Sequence, residues 1–297
     1  MNFFRSSLVP FAAVLWLTYS APACQPAPPS DPDPTGTSNL PDSTAINVSY
    51  GTHPRQKYDI YLPAKRDTNT PFLVVIHGGG WKAGQKEDMN FFVQLIRNRW
   101  KNVAIVNMNY RLASFADSIH HPQMMEDIQN AIGHVLQHRQ QYYISNKAGV
   151  MGASAGGQLS MIYAYKYNHH QNIRCVVNIF GPSIINDWSW YSSNNPWLGG
   201  SVGDILAEYV GQPWDSAAYA AVSPYWQATA SSQPTIAFHG SFDPIVPVYQ
   251  SRWMNGRLNL LGVPNQLHEY VAFHAFDYNQ SQDVANKLVS FCKQYMK

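Results

Sequence analysis

The sequence predicts a single α/β domain in which a mostly parallel sheet carries helices on both faces. Short, uninterrupted apolar runs, typical of strands covered on both sides, alternate along the chain with segments of helical periodicity. The chain has 297 residues, of which 45% are hydrophobic and 13% charged. A domain of about this length can bury a large core, so no metal ion or disulfide is needed to explain its folding.

The strands are predicted from their apolar patterns. Residues 58–62 alternate apolar and polar side chains, which indicates a half-buried antiparallel strand at an edge of the sheet. The stretch 270–273 is also strand-like. Continuous apolar runs predict buried strands at 72–76, 103–108, 149–152, 173–180 and 235–239.

Helices are predicted between the strands. Apolar residues recur at helical spacing over 91–100, after Pro122, after Ser154 and over 284–295. Residues 182–230 interrupt the alternation and are rich in Ser, Asn, Trp and Tyr. We expect this segment to be an irregular insertion beside the functional site.

The N-terminus has the pattern of an export signal. Arg5 precedes an apolar stretch, residues 8–19, that is too short to cross a bilayer, and small residues at 21–23 form a cleavage pattern ahead of Cys24. This segment resembles a bacterial lipoprotein signal, although its first small residue stands where a larger apolar one is usual. We expect a signal peptide at 1–23 and a lipid on Cys24, with plain secretion as the alternative.

The segment after the signal predicts a tether. Residues 24–44 are rich in Pro, Asp and Ser and cannot form a core. The folded domain is therefore expected at 45–297. The predicted location lies beyond the inner membrane, with the protein held by its lipid at the periplasmic or cell surface.

The charge and cysteine patterns indicate which binding partners and cofactors to expect. The formal net charge is +2 and the basic residues are scattered, so no nucleic-acid surface is predicted. Cys175 and Cys292 belong to no metal-binding pattern, and the histidine pairs 120–121 and 169–170 are expected at the surface. The two cysteines can pair outside the cytoplasm, but buried free thiols are the commoner outcome. No metal or organic cofactor is predicted, and the oligomeric state is left open.

Ser154 is the candidate nucleophile. It lies in the run Gly152-Ala-Ser-Ala-Gly156, after a short apolar strand and before a predicted helix. Small neighbours allow a sharp strand-to-helix turn that exposes the hydroxyl at the end of the sheet. The pattern alone has an ordinary alternative, because serine with small neighbours also caps helices.

A second motif is more specific. His77-Gly-Gly-Gly-Trp81 directly follows the predicted strand 72–76. Consecutive glycines at the carboxyl end of a strand leave backbone N–H groups open to a ligand atom. No Gly-Lys-Ser/Thr completes a phosphate-binding loop, and a merely flexible turn leaves the flanking His and Trp unexplained.

With Asn109-Tyr-Arg-Leu112 between them, these two motifs resemble the α/β-hydrolase esterases of the BD-FAE/acetylesterase group, which are related to hormone-sensitive-lipase-like carboxylesterases. The resemblance runs over residues 55–296 and is weakest at 182–215. It implies an α/β-hydrolase catalytic domain with an eight-stranded type of sheet. It also implies an oxyanion hole built from the N–H groups of Gly79, Gly80 and Ala155.

The acid of a triad is expected after the serine. Asp243 follows the predicted strand 235–239 in His-Gly-Ser-Phe-Asp-Pro-Ile-Val-Pro, and the family has its acid in such a setting. Asp204 and Asp215 are rivals, but they lie in the insertion and are less rigidly placed.

The base is predicted to be His274. It follows the strand-like stretch 270–273 in Phe-His-Ala-Phe, where the family commonly has Gly-His-Gly-Phe, so two flanking residues depart from the family pattern. His268 and His239 are interpreted as structural. Arg111 and Asp127 are expected to form an internal ion pair.

The predicted function is therefore that of a serine carboxylesterase working through an acyl-enzyme. Short acyl or aryl esters are the expected substrates, with esters on plant polysaccharides as the biological target by analogy with the family. Amide hydrolysis, as in arylformamidases or exopeptidases, is the second enzyme hypothesis, and a binding module on a hydrolase scaffold is the non-enzyme one. Trp81 is predicted to contact substrate. Further tryptophans considered for the pocket are Trp188, Trp190, Trp197, Trp214 and Trp226.

Overall fold

A computed structural model describes residues 39–168 and 171–297 of the chain. Within them the strands are β1 (Ser43–Ser49), β2 (Lys57–Leu62), β3 (Phe72–Ile76), β4 (Ala104–Met108), β5 (Ala148–Ala153), β6 (Ile173–Ile179), β7 (Asn194–Asn195), β8 (Gly200–Ser201), β9 (Thr235–Gly240) and β10 (Asn265–Tyr270). Eight of these described strands form one sheet in the order β1-β2-β4-β3-β5-β6-β9-β10, and β7 and β8 form a small hairpin. The β1-β2 and β2-β4 pairs are antiparallel and every other neighbouring pair in the large sheet is parallel, which confirms the predicted fold class.

Helices connect the strands and cover the sheet. They are α1 (Asn90–Arg99), α2 (His121–Gln137), α3 (Arg139–Tyr142), α4 (Ala155–Ile162), α5 (Trp188–Tyr191), α6 (Val202–Val210), α7 (Ser216–Ala221), α8 (Pro224–Gln227), α9 (Tyr249–Leu260) and α10 (Tyr278–Tyr295). Single 3₁₀ turns lie at Lys86–Met89 and Pro196–Leu198, and a π-helical turn, Tyr163–Tyr167, continues α4.

The sheet separates two hydrophobic cores. In β3, Phe72, Val74 and Ile76 point into one core, whereas Leu73 and Val75 point into the other, because successive side chains of a strand face opposite ways. Helices α2, α4 and α9 cover the first core, and α1 and α10 cover the second. All five β3 residues are buried, as expected for a strand with helices on both faces.

Two predictions about the margins of the sheet are wrong. Strand β2 pairs with β1 on one side and β4 on the other, so residues 58–62 are internal and β1 is the edge strand. Strand β10 ends at Tyr270, where the strand-like stretch 270–273 was expected to begin. Most residues of both true edge strands are exposed or half-buried, so neither strand has the apolar run by which a buried strand is found.

The insertion is more regular than predicted. Residues 182–230 contain the four short helices α5 to α8. The side chains of Asp187, Ser201 and Asp215 accept hydrogen bonds from N–H groups in the first turns of α5, α6 and α7. These caps satisfy donors that the helices leave unpaired, which stabilises helices too short to persist alone.

The N-terminal predictions lie mostly outside the described residues. This applies to the signal peptide, to Cys24, to most of the tether and to the histidine pair 169–170. Strand β1 begins at Ser43, two positions before the predicted start of the folded domain. In the described part of the chain, no helix has the length and apolar character needed to cross a membrane.

The cysteines lie side by side in the second core. Cys175 on β6 and Cys292 on α10 are both fully buried and do not form a disulfide in the structure. A hydrogen bond to Cys292, together with burial, raises the pKa of the Cys175 thiol well above its ordinary value. The Cys175 thiol is therefore held in its neutral form inside the core.

His121 joins helix α2 to the insertion. It is 3% exposed, so the expectation that the pair 120–121 lies at the surface is wrong for this residue. Its Nδ1 donates to the hydroxyl of Tyr209 on α6 over 2.7 Å. The Tyr209 hydroxyl in turn donates to Gln158 on α4, so it can only accept from the imidazole. Burial disfavours the charged ring and lowers the pKa of His121 to about 3.

We expect this imidazole to make stability depend on pH. Between pH of about 6.5 and about 3 the unfolded chain binds a proton at His121 that the folded chain does not, so the free energy of unfolding decreases as pH falls through that window. The slope from one such group is at most about 1.4 kcal/mol per pH unit. Urea unfolding of the wild type and His121→Asn at pH 7, 6 and 5 measures it. Asn keeps a donor near the Nδ1 position without titrating, so its curve should be flatter by that amount; parallel curves would contradict the expectation.

Candidate active site

Ser154 occupies the turn between β5 and α4. Its backbone has φ 54° and ψ −123°, a conformation that is rarely adopted by residues other than glycine. The Ser154 N–H donates to the carbonyl of Ile179 on the neighbouring strand β6 over 2.8 Å, which anchors the turn to the sheet. The predicted sharp turn is present, and it exposes the serine at the carboxyl end of the parallel strands.

The glycines beside Ser154 permit close packing. A Cβ atom on Gly152 would lie 2.2 Å from the backbone of Gly156. A Cβ atom on Gly156 would lie 2.2 Å from the carbonyl oxygen of Ile76, at the end of β3. Both contacts are with backbone atoms that cannot rotate away, so side chains at these two positions would separate α4 from the strands.

The glycine-rich loop lies directly against the nucleophile. A Cβ atom on Gly78 would stand 2.9 Å from the carbonyl oxygen of Ala153 and 3.1 Å from the Cβ atom of Ser154. Gly79 has φ 111°, which favours glycine. The N–H groups of Gly79, Gly80 and Ala155, predicted to form an oxyanion hole, donate no hydrogen bond within the described residues. Three such donors beside a serine can stabilise a negatively charged oxygen.

Hydrogen bonds from two side chains fix this loop. The Nδ1–H of His77 donates to the carbonyl of Gly78 over 2.7 Å. Arg55 donates to the carbonyl of Gly84 over 2.8 Å and approaches Nε2 of His77 at 3.3 Å. Burial lowers the pKa of His77 to about 4, so the ring is neutral at ordinary pH and its Nε2 can accept from Arg55.

Trp81 lies beneath the loop. Its ring is 3% exposed, stacks on Tyr209 with the centroids 4.3 Å apart, and donates from Nε1 to Gln158 over 3.0 Å. Gln158 lies one helical turn after Ser154 and also accepts from Tyr209. Trp81 therefore joins the glycine-rich loop to α4 and α6. It borders only a small cavity near Ser154 and does not line the open groove above it.

Asp243 and His274 form a hydrogen-bonded pair. The Nδ1–H of His274 donates to Oδ2 of Asp243 over 2.6 Å, and the N–H groups of Ile245 and Val246 donate to Oδ1 over 2.8 and 2.9 Å. Burial would raise the pKa of Asp243, but hydrogen bonds from His239 and His274 outweigh it and hold that pKa well below its usual range. Asp243 is therefore a charged acceptor that orients the imidazole.

Ser154 and His274 line the same groove of about 500 Å³ but are not hydrogen-bonded to each other. Nε2 of His274 is buried and has no hydrogen-bond partner among the described residues. The ring of Phe180 packs on the imidazole with the centroids 4.4 Å apart, and Phe180 itself has φ 42°. Catalytic hydrogen bonds are often long or poorly aligned without substrate, so the missing bond does not exclude His274 as the base for Ser154.

The rival candidates lie elsewhere. Asp204 lies in the first turn of α6, and Asp215 caps the N-terminus of α7. His268 on β10 stacks on Phe238 and hydrogen-bonds to Gln266. No group of three or more His, Cys, Asp or Glu side chains suited to a metal ion occurs in the described residues.

The predicted internal ion pair is confirmed. Arg111 lies 2.7 Å from Asp127 Oδ1, and its backbone N–H donates to Oδ2 over 2.7 Å. Asp127 is fully buried, and Gln56 also donates to it. The pair joins the Asn-Tyr-Arg-Leu segment to α2 behind the site.

The insertion supplies apolar walls that the sequence did not reveal. Leu198 and Ile205 line both the open groove and the small cavity, which measures about 30 Å³. Trp190 also lines the cavity, whereas Trp188, Trp197 and Trp226 are more than half exposed. Trp214 packs against Trp188 inside the insertion. Trp190 is among the tryptophans considered for the pocket, but Leu198, Ile205 and Phe180 are isolated apolar residues without a motif and could not be selected in advance.

We expect Gly156→Ala to destabilise the fold by several kcal/mol. The added Cβ atom would lie 2.2 Å from the carbonyl oxygen of Ile76 and 2.5 Å from that of His77. The matched control is Gly133→Ala in α2, where no atom lies within 4 Å of the added methyl group. That change should be neutral or stabilise by about 0.5–1 kcal/mol. Urea unfolding of both variants measures the difference, and equal stabilities would show that the close approach does not constrain the fold.

Known proteins are similar to this chain in sequence and in fold. Esterase LipC of Mycobacterium tuberculosis is 27% identical over 71% of this chain and 54% of its own length. A kynurenine formamidase of Salmo salar is 26% identical over 57% of this chain and 51% of its own. The chain thus spans about half the length of these curated relatives. A solved structure described as a truncated carbohydrate esterase from gut microbiota superposes with TM-score 0.70 at 20% identity, covering 90% of this chain and 99% of that one.

A protein-family model also matches the chain. The BD-FAE model covers residues 58–258, a stretch that contains the glycine-rich loop, the nucleophile turn and Asp243. The geometry of that loop and turn and the eight-stranded sheet agree with the match. The chain therefore belongs to the BD-FAE family and has the α/β-hydrolase fold.

Proposed function

We propose that this protein is a serine esterase that cleaves short acyl esters through an acyl-enzyme. The observation that carries the proposal is the environment of Ser154. The serine is held in a strained turn, half-buried, and lines one groove with His274, beside three N–H groups without partners in the described residues. Backbone strain at a polar residue is typical of active sites, where the surrounding structure holds a reactive side chain in one position.

In the first half of the reaction His274 Nε2 accepts the proton of Ser154 as its oxygen attacks the ester carbonyl. Asp243 keeps the other ring proton on Nδ1 and stabilises the positive imidazole. The N–H groups of Gly79, Gly80 and Ala155 receive the negative oxygen, and one such donor contributes about 3 kcal/mol to transition-state stabilisation.

The first half ends when the alcohol leaves with the proton held by His274. In the second half the same nitrogen takes a proton from water as the water attacks the acyl-enzyme. The collapse of that tetrahedral species releases the acid and returns the proton to Ser154. Every proton is thus accounted for by one imidazole.

The small cavity supports a short acyl group. It touches Ser154 and Ala155 and is otherwise walled by apolar side chains, including Trp190 and Ile205. At about 30 Å³ it holds about two water-sized groups, since one occupies roughly 10–15 Å³. An acetyl or propionyl chain fits this volume, whereas a longer chain would have to lie in the open groove.

The open groove supports a polar alcohol. Its volume is about 500 Å³, and Lys82 and Asp88 are among its lining residues. A sugar ring has the size and hydrogen-bonding capacity for such a groove. We therefore propose acylated plant polysaccharides as substrates, a choice supported by the likeness to a carbohydrate esterase.

Export and a lipid on Cys24 remain our proposal for the location, which the N-terminal sequence supports.

Aryl formamide hydrolysis is the second candidate. A formyl group is smaller than acetyl and fits the same cavity, and the matched Salmo salar relative is described as a kynurenine formamidase. The triad chemistry would be the same, with an amine in place of the alcohol as leaving group.

We expect Ser154→Ala to lose almost all turnover of p-nitrophenyl acetate, because the hydroxyl nucleophile is removed. The fold should be kept, because the change adds no atom to the turn. The loss should exceed a thousandfold in kcat. Wild-type assays on acetylated xylan, feruloylated arabinoxylan and aryl formamides would then rank the substrates. Residual activity of the variant near the wild-type level would exclude Ser154 as the nucleophile.

We expect Ile205→Ala to shift the acyl preference towards longer chains. Ile205 walls the small cavity, and truncation removes three carbon atoms from that wall. The ratio of kcat/KM for p-nitrophenyl butyrate to that for acetate should increase about tenfold, since one to two buried methylene groups contribute about 1–2 kcal/mol. Leu260→Ala, at a side chain that is 85% exposed, is the control. An unchanged ratio would place the acyl chain elsewhere.

A further inference from the structure

His239 is a second imidazole on the triad acid. It lies on β9 and is fully buried. Its Nε2 is 3.2 Å from Oδ2 of Asp243, the oxygen that also accepts from His274. From the sequence alone His239 is interpreted as a structural histidine.

We propose that His239 is a positioning residue: its Nε2–H locks the carboxylate of Asp243 in the rotamer that orients His274. The proposal rests on the esterase mechanism above only for its effect on turnover. The geometric part concerns the Asp243–His274 hydrogen bond and holds whatever the substrate.

The hydrogen-bond partners fix the tautomer of His239. Nε2 faces two acceptors, the Asp243 carboxylate at 3.2 Å and the carbonyl oxygen of Val246 at 2.9 Å. Neither can donate, so the hydrogen must be on Nε2. Nδ1 faces the hydroxyl of Ser251 on α9 at 2.7 Å, and a hydroxyl can donate to a bare ring nitrogen. The imidazole is therefore a fixed donor directed at the acid loop.

The same ring closes the acid loop. Residues 241–248 leave β9 and fold back, so that Asp243 and Val246 both reach Nε2 of His239. The Val246 N–H meanwhile donates to Oδ1 of Asp243 over 2.9 Å. Oδ1 of the carboxylate is thus held by backbone N–H groups, and Oδ2 lies between the 2.6 Å hydrogen bond from His274 and the 3.2 Å contact with Nε2 of His239, whose hydrogen also reaches the Val246 carbonyl.

Removing the Nε2 donor would free one side of the carboxylate. Oδ2 would keep only His274 as a side-chain partner, and Val246 would keep an unpaired buried carbonyl. Rotation of the carboxylate about its Cβ–Cγ bond then competes with the bond to His274. His274 has no partner at Nε2 in the described residues, so Asp243 is the main constraint on its ring besides the packing of Phe180.

Two substitutions separate positioning from packing. In His239→Gln the amide nitrogen lies near the Nε2 position and has two hydrogens, so it can donate to both Asp243 and Val246. In His239→Asn the amide lies near the Nδ1 position and reaches Ser251 but not the acid. Both side chains are polar, uncharged and smaller than the ring, so a purely structural role predicts similar losses.

The kinetic test compares both variants with the wild type on p-nitrophenyl acetate, with unfolding curves to confirm the fold. We expect His239→Asn to lower kcat about 10- to 100-fold with KM nearly unchanged, and His239→Gln to restore most of it. A folded His239→Gln that is as impaired as His239→Asn would overturn the proposal, and so would full activity in both.

Proton NMR provides a readout that needs no substrate. The hydrogen on His274 Nδ1 lies in a 2.6 Å bond to a carboxylate and should give a low-field resonance in the wild type and in His239→Gln. In His239→Asn we expect the signal to broaden or disappear, and an unaltered signal would overturn the proposal. If the wild type cleaves no ester while the NMR pattern appears, the proposed function fails and the positioning role stands.

Discussion

The close approach of helix α4 to the end of strand β3 is the constraint on which the rest of the site depends. A Cβ atom on Gly156 would lie 2.2 Å from the carbonyl oxygen of Ile76, and one on Gly78 would lie 2.9 Å from the carbonyl oxygen of Ala153. The nucleophile turn and the glycine-rich loop are thereby placed against each other by backbone contacts. Loops with side chains at these positions would be held further apart, and the N–H groups of Gly79, Gly80 and Ala155 would lie further from Ser154.

Buried imidazoles act in this protein as hydrogen-bonding links between elements. His77 holds the glycine-rich loop, His121 joins α2 to the insertion, and His239 lies against the acid loop. Burial lowers the pKa of the first two far below their ordinary value, so each keeps one donor and one acceptor at neutral pH.

Much of the fold and site was predictable because the relevant patterns are local. Continuous apolar runs identify the buried strands, Ser154 and Asp243 each follow such a strand, and His274 comes after them in the expected order. The edge strands β1 and β10 were not predictable, since one exposed face and polar residues remove the apolar signal. Phe180 and Ile205 were missed for a different reason. An apolar side chain acquires its role only from the fold that brings it beside the imidazole or the serine.

The division of labour between the sheet and the insertion has a consequence for how such a protein can change. Ser154 and Asp243 stand on turns that leave the strands, whereas α5 and α6 and the segment between them supply much of the wall around the small cavity. That wall is built from short helices with their own caps, but Tyr209 on α6 stacks on Trp81 and donates to Gln158, so α6 also supports the glycine-rich loop and α4. Single wall residues such as Leu198 and Ile205 can therefore vary independently of the turns, whereas replacing the whole of 188–210 would remove a support of the turns as well.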